Sequence, residues 1–324
     1  MSQFTSQTTS EEVCDAFPSH IKGRTFLITG TSVNGLGARL AATLAQYSPA
    51  QLILVSRSKS KVDPVIEEIK SEYSRISVKF VLCELSDQDS VRSAAKTILS
   101  DSEIGKIDVV FNNAGRMAIL EYEVDTRGNE MQLSANHIGH FLLTNLIMPK
   151  ILAAGAGARI INLTSFGHRI GPFRFEDPNF SGGKEYDPWS AYGQSKTANI
   201  LFATELARRL RPHNIQCFAV DPGLVLTTGL GAHMDFVAQV PALQAAAEKN
   251  NPGLDWGVEG RTKDDSQGCA TGLTAALDPS LEAQSGAYLE DCVVLEAQEY
   301  ATDLENARRL WAYSEEIVGQ KFNI

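Results

Sequence analysis

Thr29-Gly30-Thr31-Ser32-Val33-Asn34-Gly35-Leu36-Gly37 joins a short apolar run, residues 25–29, to a stretch with apolar residues at helical spacing, residues 36–47. Glycines at such a junction let backbone amides at a helix N-terminus approach a pyrophosphate. By itself the pattern also fits a tight βα turn that binds nothing, but its position in the first βα unit favours a nucleotide loop. Outward from it, strand-like runs at 52–55, 77–82, 107–111, 159–163 and 215–220 alternate with helix-period segments opening near 63 and spanning about 87–99, 128–153 and 189–210. Asp63-Pro64 reads as an N-cap with proline at the first helical position. A helix near 267–276, a last strand near 287–289 and a helix near 302–318 close the chain. The alternation predicts an α/β fold, a doubly wound parallel sheet of about seven strands, Rossmann-like, in a single domain.

That domain is expected to span 22–324, with 1–21 as a flexible arm. Residues 224–266 lose the strand-and-helix beat and are rich in glycine, alanine and scattered apolar residues. They read as a partly helical substrate loop. The 324 residues are 43% apolar and 21% charged, which excludes a disordered or collagenous chain. Twenty-nine basic against 39 acidic residues give −10, with no basic block, so nucleic acid is not an expected partner. Five widely spaced cysteines with no C-x-x-C pair suit neither a secreted disulfide framework nor a zinc site and predict a reducing, cytoplasmic setting. The polar, acidic first twenty residues do not read as a signal peptide. The longest apolar stretch, 141–154, is interrupted by Asn145, Pro149 and Lys150, so no membrane span is expected.

After the second strand come Ser56-Arg57-Ser58-Lys59. An acidic residue there would hold a ribose 2′-hydroxyl, whereas a guanidinium with hydroxyls and an ammonium suits a 2′-phosphate, so the expected cofactor is NADP (NADPH). A solvated basic turn is the plainer alternative. Tyr192 and Lys196 stand one helical turn apart. A phenol is a poor proton shuttle at neutral pH, and an adjacent ammonium is expected to lower its pKa; the pair is also a common surface motif. Ser165 and Asn112-Asn113-Ala114-Gly115 end strands at the carboxyl edge, where open α/β sheets place ligands. Asn136 lies inside the long helix, where an asparagine ordinarily faces solvent or a neighbour.

Taken in order, these residues resemble the short-chain dehydrogenase/reductase family, in the group that includes retinol dehydrogenases, from about Lys22 onward. Asn136-His137-Ile138-Gly139-His140-Phe141 and residues 191–202 carry the likeness further. The resemblance implies that Ser165 orients a substrate carbonyl, Tyr192 is the general acid or base, Lys196 tunes it and bonds a ribose hydroxyl, and Asn136 holds a water in the proton relay. It further implies a cofactor site of Gly30, Ser32, Asn34, Gly35, Leu36, Gly37, Arg57, Lys59, Glu84, Leu85, Asn113, Ala114, Gly115, Tyr192 and Lys196, with Pro222, Gly223, Val225 and Thr227 at the nicotinamide end. Two departures stand out. Four residues rather than three separate the first two glycines, as in fungal members, and Glu84 replaces the usual aspartate near the adenine.

The implied reaction is hydride transfer between the nicotinamide and a lipophilic ketone, aldehyde or alcohol, with carbonyl reduction the expected direction and secondary, polyketide-like metabolism the implied setting. A homodimer or homotetramer is the implied assembly. His137 and His140 share metal-ligand spacing but lack a third ligand, so no metal is expected. His168 reads as a surface hydrogen-bonding group, and Phe166, Phe173, Trp189 and Trp256 as a substrate wall or core. The rival readings are a non-catalytic NADP sensor or scaffold, and an acid-catalysed reaction without net redox.

Overall fold

The computed structural model describes residues 4–254 and 262–324. Strands β1 (Thr25–Thr29), β2 (Gln51–Ser56), β3 (Ser77–Leu82), β4 (Val109–Asn112), β5 (Arg159–Leu163), β6 (Gln216–Val220), β7 (Tyr288–Glu290) and β8 (Val293–Leu295) form one sheet in the order β3-β2-β1-β4-β5-β6-β7-β8. β1 to β7 run parallel and β8 returns antiparallel. The fold is the expected α/β one with eight strands. The extra strand forms because Asp291 and Cys292 both take positive φ, 53° and 63°, which is the two-residue hairpin geometry. Neither residue is the Asn-Gly or Asp-Gly pair that would announce it.

The helices are α1 (Ser10–Ala16), α2 (Leu36–Ala45), α3 (Asp63–Glu72), α4 (Gln88–Ser100), α5 (Met131–Leu133), α6 (Gly139–Leu146), α7 (Met148–Leu152), α8 (Pro188–Leu210), α9 (Phe236–Asn250), α10 (Asp265–Leu277), α11 (Glu299–Thr302) and α12 (Leu304–Val318). The helix expected at 128–153 is interrupted: Ser134–Ile138 is a π-helical turn between α5 and α6, and Pro149 sits in the first turn of α7. Asp63 is inside α3 rather than capping it; Val62 holds the cap position and makes no side-chain cap bond. β1 to β6 are buried along nearly their whole length except β3, the sheet edge, where Leu82 is exposed. The two faces of the sheet carry separate apolar cores, one under α4, α6, α8 and α12, the other under α1, α2, α3 and α10.

The expected flexible arm is a packed element in its described part. Thr9 and Glu12 form a reciprocal capping box on α1, and Val13 and Cys14 are fully buried. Ser10 N–H donates to Ser266 Oγ at 3.0 Å, and Arg39 meets Glu11 at 2.8 Å, fixing α1 across α2 and α10. Between the sixth and seventh strands, α9 supplies the helical part of the substrate segment, under an Asp235 cap. Trp256 lies outside the described residues.

Candidate active site

The order reverses between β1 and β4, so their carboxyl ends open the crevice in which such sheets bind ligands. The 29–37 loop lies there. Gly30 has φ +75°, and a Cβ on Gly37 would stand 2.4 Å from the Gly30 carbonyl oxygen, so only glycine permits this fold of the loop. Helices α4, α8, α9, α10 and α12 all begin under an aspartate side chain, whereas α2 begins at Gly35 with no side-chain cap. Its first amides, Leu36 and Gly37, are therefore available to an anion. Thr31 Oγ1 is buried without a partner in the same loop. A glycine cradle, an uncapped helix start and an orphaned hydroxyl fit a dinucleotide.

Neighbouring elements brace the cradle. Ser32 Oγ lies 3.2 Å from Ser56 Oγ at the end of β2, and Asn34, at φ 61°, accepts the Gly229 N–H at 3.1 Å from the segment after β6. Asn113 Nδ2 donates to Thr29 O at 2.7 Å, and the Asn113 and Ala114 amides both donate to Thr29 Oγ1 at 2.9 Å. Gly115 follows against Asn136, whose Oδ1 would lie 3.3 Å from a Cβ there. Leu85 presses its carbonyl onto Gly139, where a Cβ would come within 2.2 Å. Val225 packs on Gly268 of α10 and Gly223 on the Lys263 stem, while Thr227 is exposed.

The basic turn after β2 divides. Arg57, 59% exposed, is 3.6 Å from Glu84, and Arg116 approaches the same carboxylate at 3.8 Å. Lys59 instead turns to Asp63 at 2.5 Å, 65% exposed, so Arg57 and not Lys59 shares the Glu84 cluster. Arg116 was not anticipated; it follows the Asn-Asn-Ala-Gly run directly.

Tyr192, Lys196 and Ser165 converge. α8 starts under Asp187 with Pro188 in its first turn and buries Tyr192 and Lys196 on one face. Lys196 Nζ is 5.6 Å from the Tyr192 ring centroid and donates to Leu163 O at 3.3 Å. Ser165 caps the turn after β5, accepting Gly167 N–H at 3.0 Å, and hydrogen-bonds the Tyr192 phenol. Burial pushes the phenol pKa up; the Ser165 hydrogen bond opposes this and Asp221 adds to it. Burial pushes Lys196 down to about 8, against the pull of Asp221. The expected lowering of the phenol by its lysine is therefore not found: in a dry site desolvation disfavours both charged forms and is the largest influence on each. At neutral pH Tyr192 is a protonated phenol.

Asn136 is part of the π-helical turn rather than a regular helix, and such turns recur at functional sites. Its Oδ1 accepts Arg116 N–H at 2.7 Å, and its Nδ2 donates to Arg116 O and Ser195 Oγ, both at 2.9 Å. It thus clamps the strand-four loop to the helix carrying Tyr192.

Beside Tyr192 runs a cleft lined by Met117, Phe166, Ile170, Trp189, Phe236 and Leu243, with Ser165 at its polar end. Phe166 and Trp189 are the aromatic wall anticipated; Phe173 is not, since it packs at a tilt against Phe175 and edge-on against Tyr313 in the core. His168 is fully buried rather than superficial, donating from Nδ1 to Ser165 O at 2.8 Å, and burial lowers it to about 4. Asp221 also lines the cleft and was missed as a site residue. Burial, then Glu290, raise it to about 6, against the Gly223 N–H, Lys263 and the Phe166 N–H. Tyr288 donates to Glu290 at 3.0 Å and reaches Asp221 at 3.4 Å. The place of Asp221 at the carboxyl end of β6 was the available signal.

These features suit a dinucleotide cofactor lying beside a buried phenol. The chain belongs to the short chain dehydrogenase family, whose profile matches residues 24–177 and 178–235. It is 34% identical over 299 residues to retinol dehydrogenase 12 of Mus musculus, covering 92% of this chain and 87% of that protein. It is 33% identical over 245 residues to the oxidoreductase fscI of Fusarium equiseti, covering 68% and 94%. A crystal structure of an uncharacterized protein from Mycobacterium paratuberculosis superposes with a TM-score of 0.71 at 27% identity, over 98% of this chain and all of the other. The chain is thus a retinol-dehydrogenase-like oxidoreductase acting on alcohol or carbonyl groups. Among the described residues no helix is long and apolar enough to cross a membrane.

Proposed function

We propose that this oxidoreductase is an NADP-dependent carbonyl reductase for a lipophilic ketone or aldehyde. The observation that carries the reading is Tyr192: a buried phenol, kept protonated at neutral pH and hydrogen-bonded by Ser165, on the wall of an apolar cleft. Reduction needs a proton donor for the developing alkoxide, and a protonated phenol is that donor.

The nicotinamide supplies the hydride when bound. The chain's own residues do the rest. The amides of Leu36 and Gly37 and the 29–37 cradle would hold the pyrophosphate, with Asn113, Ala114 and Gly115 as the adjoining edge. Arg57 would meet a 2′-phosphate, and this is the ground for proposing NADP over NAD. Ser165 orients the carbonyl oxygen, Tyr192 gives up its proton, and Lys196, poised near pH 8, recharges the relay. Asn136 ties the loop after β4 to α8, which carries Tyr192 and Lys196.

The cleft encloses about 80 Å³, well below the ~300–1,000 Å³ of pre-formed small-molecule sites. A retinoid, steroid, fatty aldehyde or polyketide-like ketone is the substrate class proposed for this cleft, one side of which Phe236 and Leu243 of α9 contribute. The lengthened glycine loop, which resembles that of fungal members, is the ground for proposing a role in secondary metabolism. The free, buried cysteines support a cytoplasmic setting, and a homodimer or homotetramer is the assembly proposed. The sensor reading is not favoured because the three proton-handling side chains converge. In a carbonyl panel, Tyr192→Phe is expected to lower NADPH oxidation at least 100-fold, as for loss of a general acid, while NADPH still binds. Equal rates would sink the mechanism.

A further inference from the structure

The buried histidine that the mechanism leaves unused, His140 on α6, sits between two halves of the site. Its Nδ1 is 2.9 Å from the carbonyl oxygen of Asn136, and its Nε2 is 2.8 Å from Thr29 Oγ1. Thr29 Oγ1 in turn receives the amides of Asn113 and Ala114. We infer that His140 is a positioning residue, whose neutral ring locks the π-helical turn carrying Asn136 to the strand ends that cradle the dinucleotide.

The donor sense of every bond in this chain follows from the geometry. A carbonyl only accepts, so Nδ1 must carry the ring hydrogen. Burial lowers His140 to about 4, which leaves the ring neutral and Nε2 a bare lone pair over the working range. The Thr29 hydroxyl must then donate to Nε2, and its oxygen lone pairs are left to accept Asn113 N–H and Ala114 N–H. Reversing the tautomer would set a lone pair against the Asn136 carbonyl and deprive the Thr29 proton of its partner, apart from Phe111 O at 3.3 Å.

His140 lies in the first turn of α6, which follows directly on the π-helical turn. Within it Gly139 N–H reaches Ser134 O, five residues back, so the pairing register of an α-helix is displaced. The Asn136 carbonyl bonds the side chain of residue 140. His137, one turn earlier, faces the other way, with Nε2 2.8 Å from Ser314 on α12, and takes no part.

The inference rests on residues 29–37 and 113–115 being the cofactor edge, and the test separates the two. Imidazole nitrogen spectra of the wild-type protein are recorded with and without NADPH, and NADPH dissociation constants are measured for wild type, His140→Phe and His140→Gln. His140 is expected as the Nδ1–H tautomer, with resonances that move when NADPH binds. His140→Phe is expected to weaken NADPH about five- to tenfold, the size of one net hydrogen bond, and His140→Gln, which keeps a donor and an acceptor, to restore part of it. A histidine that merely fills space would lower the melting temperature in both variants and leave NADPH affinity alone. An Nε2–H tautomer, resonances indifferent to NADPH, or a folded Phe variant within twofold of wild type overturns the inference. The spectra decide it even should the variants fail to fold. A wild type that binds no NADPH refutes the cofactor reading itself.

Discussion

Replacing Arg57 by aspartate tests the cofactor preference most directly. The guanidinium is 59% exposed and lies 3.6 Å from Glu84, which Arg116 also approaches at 3.8 Å. At that distance and a water-like dielectric the Arg57–Glu84 attraction is about 1 kcal/mol, and salt reduces it further. A phosphate dianion with charge-assisted hydrogen bonds, about 1.5–3 kcal/mol each, therefore outcompetes Glu84 for the guanidinium. Taking one such bond at its lower end, because the site is half open to water, its loss alone is about tenfold in affinity. Placing a carboxylate beside the dianion adds repulsion of similar size, for a total of about 100-fold in the ratio of NADPH to NADH affinity. Equilibrium titration of both cofactors at fixed ionic strength reads the ratio, with NADH expected to change little or to bind more tightly. A ratio within threefold of wild type would mean that the basic turn is only a solvated surface, and the 2′-phosphate reading would fall.

Asp221→Asn removes a negative charge that raises both Lys196 and Tyr192. The basic limb of the pH–rate profile is expected to move to lower pH; a limb that stays in place or moves up contradicts the electrostatic role given to Asp221. A second expectation concerns acid. His137, His140 and His168 are held neutral in the fold, lowered to about 3, 4 and 4, so between pH ~6.5 and ~4 the unfolded chain binds three more protons and stability falls as pH falls. Glu130 and Asp221, raised by burial to about 7 and 6, take up protons in the folded state first and offset two of the three. Together the five groups make stability drop by about 1.4 kcal/mol per pH unit from pH ~6 to ~4.5. Urea midpoints at pH 6 and 5 check this, with Glu130→Gln steepening the fall; a midpoint that rises on acidification would show the histidines to be less protected than their burial implies.

Much of the fold was legible because its signals are local. The order of βα units follows from apolar periodicity read a few residues at a time, and β3 and β5 keep their expected bounds. The capping box Thr9-x-x-Glu12 was equally readable, so treating the N-terminal residues as an arm overlooked a signal that was present. The β7–β8 hairpin left no comparable mark, since its turn is Asp-Cys. Lys59 and Arg57 look interchangeable in sequence, and only the position of Asp63 one helical turn on draws the lysine away. Phe173, Phe166 and Trp189 are alike as apolar aromatics, and only packing against Tyr313 sends the first into the core.

The sequence alone determined the class of protein: the alternation of strands and helices, the glycines at the first turn, and the kinds of side chain at the strand ends and on α8. Tertiary structure decided what those side chains are. The direction of the Tyr192 and Lys196 shifts, the buried states of His140, His168 and Asp221, and the π-helical setting of Asn136 all arise where segments far apart in the chain exclude water together. Proximity of charges can be inferred from spacing along a helix, but desolvation depends on everything that surrounds the group, and in this site desolvation is the larger effect.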